Sequence, residues 1–408
     1  MSAILSFTTY PVAQPRHGGQ RRVAAFGDFY RGLGLNFQTA SIYQAPPYQP
    51  HEVGPHDLKL GHVDPRWNGV PFVDDILSGD FAALDPGLAH FRRVVETVGP
   101  AAIQLDHPFM WPLVRILREQ GLLDGVKLFY SSHNWEASLK VDILRRSGVP
   151  EARAMAVGER ILELEREVIE ASDLIVAVSQ SDADRYRALS ADTPVHVVPN
   201  GVQRQVGGRP LTQTQLDIFR RNPFALFVGS AYPPNIDGFC NLVADGGLYM
   251  VPPDKHLAVC GGVSDGIFNS RQYQSFLVAN SERLHFFPNI SDDDLWALKT
   301  ACHVVLLPIQ FGGGSNLKTA EALASNKYVI ATSTAMRGFD AFRDAPGVII
   351  ADTPETFRRA IAQVFNRPPL KLKKKDLLLR ETVYWDRSFA DSTLANDVRA
   401  LLKLDQNI

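Results

Sequence analysis

Short apolar runs recur at residues 4–7, 37–43, 101–105, 127–131, 174–178 and 195–202, and again at 224–228, 257–260, 284–287, 304–307, 328–331 and 348–350. They are too short for buried helices and rich in Val, Ile, Leu, Ala and Phe, as in strands buried on both faces. Segments of helical period lie between them, at 21–33, 86–98 and 151–170 and after Pro233-Pro234, Ser291, Ser315 and Pro354. Strands alternating with helices predict α/β domains with parallel sheets. Residues 151–170 carry dense alternating charge, expected of an amphipathic helix whose outer face meets water. Residues 44–73 are rich in Pro, Gly and His and read as a long loop or insertion, the kind that in compact domains serves function or moves. Residues 203–223 lack a strong apolar pattern and hold glycines and prolines, so the domain boundary is placed there. The expected domains span 1–205 and 206–380, with a C-terminal helical segment over 381–408.

Composition narrows the class. At 408 residues the chain exceeds what one hydrophobic core usually holds, in keeping with two domains. A net charge of −2 gives no global field for nucleic acid or an anionic membrane. Cys240, Cys260 and Cys302 are far apart in apolar surroundings with no metal spacing, and are expected to be buried free thiols. Residues 1–10 lack the charged and apolar regions of a signal peptide, and no apolar run approaches a transmembrane helix. A cytoplasmic protein with at most peripheral membrane contact is expected. Asp292-Asp293-Asp294 follows Ser291 and fits the acidic first turn of a helix better than a metal site. The basic run at 371–375 reads as a solvated linker.

The candidate chemistry centres on Phe311-Gly-Gly-Gly-Ser-Asn-Leu-Lys-Thr-Ala-Glu-Ala-Leu323, where an apolar run ends in three glycines and a helix begins. Ser315 is the expected N-cap, which leaves the first backbone N–H groups pointing outward. The positive end of a helix suits a phosphate, and Gly312, Gly313 and Gly314 let it approach the backbone. Lys318 and Glu321, three residues apart, share one face. A cation can meet a diphosphate there, and a carboxylate one turn deeper can accept from a pair of sugar hydroxyls. An ordinary strand–loop–helix junction is the alternative reading of the same residues.

This stretch resembles the donor-site motif of family 4-type GT-B glycosyltransferases, which continues as Ala324-Ser-Asn-Lys-Tyr-Val-Ile-Ala-Thr-Ser333 and Met336-Arg-Gly-Phe339. The similarity runs along nearly the whole chain. His17-Gly-Gly-Gln-Arg-Arg22 looks like the family's N-terminal glycine loop, and His133-Asn134 ends a strand where relatives place a His beside the donor sugar. Ala171–Ser179, Val198-Pro-Asn-Gly-Val202 and Phe227-Val-Gly-Ser230 with Tyr232-Pro-Pro-Asn235 are also similar to these enzymes. Two features depart from the pattern. Relatives often carry a glutamate where Gly313 stands and a basic residue where Asn316 stands, so Lys318 is the only cation of the motif.

The resemblance implies a GT-B fold: two Rossmann-like domains with parallel sheets facing a central cleft, and a C-terminal helix returning to the N-terminal domain. It implies a retaining, metal-independent transfer from a nucleotide-diphosphate sugar to a saccharide, lipid-linked or other glycan acceptor, with no further cofactor. Lys318 with the amides around Gly313–Ser315 would stabilise the leaving diphosphate, Glu321 would hold the ribose, and His133 would contact the donor sugar. Gly229, Ser230, Gly312, Gly313, Gly314, Ser315, Asn316, Leu317, Lys318 and Glu321 make up the expected donor site. Gly18, Gly19, Gln20, Asp106 and His107 are expected to face the acceptor or the cleft.

Two further readings stay open, a nucleotide-sugar epimerase of the same fold and an inert GT-B subunit that binds a partner. Gly262-Val-Ser-Asp-Gly266 matches a nucleophile elbow but lacks a strong following helix and an acid–His pair downstream. Neither a P-loop nor a Gly-x-Gly-x-x-Gly dinucleotide motif is present.

Overall fold

In the structure, a computed structural model that describes residues 2–62, 64–204, 209–219 and 221–404, the apolar runs form two parallel sheets. The first contains β1 (Ala3–Thr8), β2 (Asn36–Tyr43), β3 (Leu58–Lys59), β4 (Ala102–Leu105), β5 (Lys127–Ser131), β6 (Leu174–Ala177) and β7 (Val195–Val197), in the order β3-β2-β1-β4-β5-β6-β7. The second contains β8 (Phe224–Val228), β9 (His256–Cys260), β10 (Leu284–Phe287), β11 (Val304–Leu307), β12 (Tyr328–Ala331) and β13 (Val348–Ile350), in the order β10-β9-β8-β11-β12-β13. Helices cover both faces, so β1, β4, β8 and β11 are almost wholly buried, which explains why they read as continuous apolar runs. Each sheet is one Rossmann-like domain.

Strand order reverses beside the first strand of each sheet, between β1 and β4 and between β8 and β11. Loops leaving the carboxyl ends of two such strands diverge and open a crevice, where doubly wound sheets take ligands. Topology thus singles out the loops after β1, β4, β8 and β11.

The chain divides into one compact unit of Met1–Pro199 with Ser388–Ile408 and a second of Asn200–Arg387. The boundary expected at 205/206 lies outside the described residues. The tail joins the first unit from Ser388 rather than from 381, because residues 381–387 are held to the second unit. Val202 bridges Tyr384, and Arg204 pairs with Glu381 at 2.6 Å and Asp386 at 2.8 Å. Beyond Ser388, Phe389 stacks on Phe29 at 4.5 Å and Asp397 reaches His196 at 2.7 Å.

Local departures from the sequence reading have local causes. The first helix starts at Gly18, three residues before the expected 21, because His17 and Gln20 cap it reciprocally. The helix Glu151–Ala171 buries Ala154, Val157 and Ile161 and turns most of its charge outward, except Glu165, which is buried and accepts from the Glu136 N–H at 2.7 Å and the Ala137 N–H at 3.1 Å. The stretch 44–73 contains β3 and two single turns, Pro50–Glu52 and Pro65–Trp67. All three cysteines are free and buried. Among the described residues, no helix is long and apolar enough to cross a membrane.

Candidate functional site

In the second unit, β11 delivers the glycine loop to the switch point and the helix Leu317–Ala324 leaves from it. Gly312 (φ 131°) and Gly314 (φ 57°) hold backbone conformations that a side chain would strain. The N-cap is Asn316, not Ser315 as the sequence reading has it. The Asn316 side chain accepts from the Lys318 N–H at 3.0 Å, whereas Ser315 is buried and its Oγ accepts from the Asn200 N–H at 2.9 Å. Both residue types cap helices well, and the tertiary bond to Asn200 decides between them.

Lys318 is partly buried, and its ammonium donates to Asn235 Oδ1. The Asn235 amide in turn donates to Ser230 O at 3.0 Å and to Ser230 Oγ at 3.3 Å, so Asn235 links the glycine-loop helix to the Gly229–Ser230 loop after β8. Burial pushes the Lys318 pKa down to about 8, opposed by the charge of Glu321. Glu321 lines a small cavity together with Lys318 and Lys299, and accepts from Lys299 Nζ at 2.9 Å, with the Lys299 and Glu321 side chains each 17% exposed. The Arg337 guanidinium donates to Gly312 O and braces the loop from behind. Thus Gly229, Ser230, Gly312, Gly313, Gly314, Asn316, Leu317, Lys318 and Glu321 come together. Asn235, Lys299 and Arg337 join them; no sequence motif marks Lys299, since its partner lies 22 positions away on another helix.

The elbow-like segment closes differently. Ser264 is buried and donates to Val259 O at 3.3 Å, in a short helix, Val263–Phe268. Its hydroxyl is not presented as a nucleophile.

In the first unit, the loops after β1, β4 and β5 meet. Asp106, fully buried, accepts from Ser6 Oγ at 2.6 Å and from Gln104 Nε2 at 3.0 Å, which fixes the end of β4. His133 Nε2 stands 3.6 Å from Asp106 Oδ1, too far for a hydrogen bond. The His107 and His133 rings lie 4.4 Å apart, and Tyr10 packs edge-on against His107 at 5.7 Å. Burial and the neighbouring His107 push the His133 pKa down to about 3, so this imidazole is neutral at ordinary pH. A Cβ on Gly19 would fall 2.2 Å from Tyr10 Oη and 3.4 Å from His133 Nδ1, so glycine keeps this pocket open.

Three buried polar atoms here, Tyr10 Oη, His107 Nδ1 and His133 Nε2, have no hydrogen-bond partner among the described residues. Leaving such atoms unpaired is costly, about 1–3 kcal/mol each, and a ligand rich in hydroxyls would satisfy them. Gln20 does other work. Its Oε1 accepts from the N–H groups of Arg16 and His17, and its Nε2 donates to Pro11 O at 2.6 Å, which shapes the loop that presents Gly18 and Gly19. Among the described residues, no group of three His, Cys, Asp or Glu side chains is placed to hold a metal ion.

The sequence has recognisable relatives at the family level. A family model described as Glycosyltransferase Family 4 matches residues 44–206, and one described as Glycosyl transferases group 1 matches residues 222–367. None of the curated proteins matches the sequence. The structure is similar to sucrose-phosphate synthase from Thermosynechococcus elongatus, with a TM-score of 0.75 at 16% identity, covering 99% of this chain and 100% of that one. It is similar to the catalytic domain of starch synthase IV from Arabidopsis thaliana bound to ADP and acarbose, with a TM-score of 0.62 at 12% identity over 99% of each chain. It is also similar to an α,α-trehalose-phosphate synthase (UDP-forming) from Burkholderia xenovorans in complex with glucose-6-phosphate, with a TM-score of 0.63 at 11% identity over 98% of this chain and 100% of that one.

Proposed function

We propose that this chain, which belongs to the family 4-type glycosyltransferases of GT-B fold, moves a sugar from a nucleotide-diphosphate sugar to a saccharide or other glycan acceptor, with retention of configuration and without a bound metal. The observation that carries the reading is the Lys318–Asn235–Ser230 chain, which sets a partly buried ammonium between the two loops that flank the β8/β11 switch point. ADP and glucose-6-phosphate in the similar structures support a nucleotide on one side of the reaction and a sugar on the other.

In the proposed reaction the acceptor oxygen bonds to the anomeric carbon as the bond to the phosphate oxygen breaks. The leaving phosphate takes the acceptor's proton, and nucleoside diphosphate departs. The demand on the protein is to stabilise negative charge on that leaving group. Lys318 and the amides of the Gly312–Ser315 loop supply positive charge fixed in advance, which is where electrostatic catalysis is strongest. Glu321, steadied by Lys299, accepts from the ribose hydroxyls. His133 is neutral, so its part is a hydrogen bond to a sugar hydroxyl rather than a full charge.

Two predictions arise here. Turnover should persist in excess EDTA, because Lys318 and the loop amides fill the role of a divalent cation; full loss restored by magnesium or manganese would refute this. Affinity for a nucleoside diphosphate should also depend on pH in one direction. The anion binds protonated Lys318, whose pKa burial lowers to about 8. Just below that pH the ammonium is already charged and Lys318 adds no further pH dependence, until the terminal phosphate of the ligand itself takes a proton at about pH 6. Above it, binding must take up a proton, so affinity falls as pH rises. Calorimetry across this window gives the slope, and a flat profile through pH 8 and above would remove Lys318 from the phosphate site.

A further inference from the structure

The helix Lys374–Glu381 presents a face that the transfer reaction does not use. Arg367, Lys371, Lys373, Lys374 and Lys375 are all exposed within nine residues of chain. Leu377 and Leu378, which are 41% and 56% exposed, lie one turn beyond Lys374 and flank it on the outward side. The helix also carries two acidic groups. The Asp376 carboxylate accepts from the Lys373 N–H at 3.2 Å, and Glu381 is held by Arg204. Lys371, Lys373, Lys374 and Lys375 form no ion pair with a carboxylate among the described residues.

The inward side of the helix is firmly seated. Arg380 is buried, and its guanidinium donates to Leu323 O at 3.1 Å, Lys327 O at 3.0 Å and Pro346 O at 3.0 Å. Leu323 lies in the last turn of the helix that carries Lys318 and Glu321, so the basic face is anchored to the donor-motif helix. An anchored helix that shows bare lysines and two leucines to solvent has the layout of an interfacial element, with a cationic rim around an apolar tip.

We propose that this face docks on an anionic lipid surface. The lysines would sit among phosphate headgroups, while Leu377 and Leu378 enter the boundary with the acyl chains. Charge complementarity favours an anionic partner, and the two exposed aliphatic leucines favour a lipid surface, whose acyl chains can bury them, over a nucleic acid, whose bases are bound chiefly by aromatic stacking and hydrogen bonds. The whole protein carries a net charge of −2, so the attraction is local to this face and acts only at close range.

The test is flotation of the purified full chain with vesicles of phosphatidylcholine alone and of phosphatidylcholine with about one third phosphatidylglycerol. The protein should float with the anionic vesicles and not the neutral ones, and added salt should weaken the binding. Replacing Lys371, Lys373, Lys374 and Lys375 with Ala should lower partitioning at least about tenfold. The pair Leu377→Ser and Leu378→Ser should lower it at least about threefold. These side chains are exposed, so both variants should keep the wild-type melting temperature, and the readout is independent of transferase activity. Four results would each overturn the proposal: no retention on anionic vesicles, equal retention on neutral ones, unchanged partitioning in either variant, or tighter binding to an RNA homopolymer that the leucine changes leave intact.

Discussion

Lys318→Ala should lower kcat by about two orders of magnitude or more while the protein stays folded, the loss typical of removing one preorganised charge stabiliser. The side chain donates to Asn235 and lies beside Glu321, so the substitution removes the positive charge from the motif and frees the Asn235 carbonyl. Helix and sheet do not depend on it, because the helix is capped by Asn316 and Thr319 Oγ1 ties it to Ala335 O at 2.6 Å. Lys318→Arg should recover little, since a planar fork does not replace a compact ammonium in a fitted site. Steady-state turnover alongside circular dichroism decides the matter, and near-normal turnover in a folded variant would end the assigned role.

Glu321→Ala should weaken nucleoside diphosphate binding about tenfold or more, because a ribose hydroxyl pair loses a charged acceptor. It also strands Lys299, whose ammonium pairs with this carboxylate at 2.9 Å and with no other carboxylate among the described residues, so a stability loss of about 1–2 kcal/mol should accompany it. The two effects separate in a double variant. Adding Lys299→Met removes the stranded charge and should restore most of the stability while leaving affinity low. Calorimetry that finds wild-type affinity in Glu321→Ala would assign this carboxylate to the Lys299 pair alone.

The strand pattern was legible because strands buried on both faces must be apolar throughout, and each sheet contains several of them. The glycine loop, Lys318 and Glu321 were legible because they lie within ten residues of one another at fixed spacing. Contacts between distant segments were not. Asn235 reaches Lys318 across 83 positions, and Asn200 takes Ser315 out of the capping role across 115. Sequence can show that Ser315 and Asn316 are both good caps, but it cannot show which of them a remote amide engages. The start of the first helix was missed for a related reason: a His–Gln reciprocal cap is not among the familiar signatures of a helix start. The orphaned atoms of Tyr10, His107 and His133 become visible only once three loops have been brought together.

The central claim is that a nucleotide sugar binds at the loop bearing Lys318. Its most direct test is the melting temperature of the wild-type protein and of Lys318→Ala with UDP, GDP, TDP and ADP sugars, since a ligand that binds only the folded state raises it. At least one of these donors should raise the wild-type value, and the variant should lose most of that rise. No rise with any of them, or an equal rise in both proteins, would contradict it.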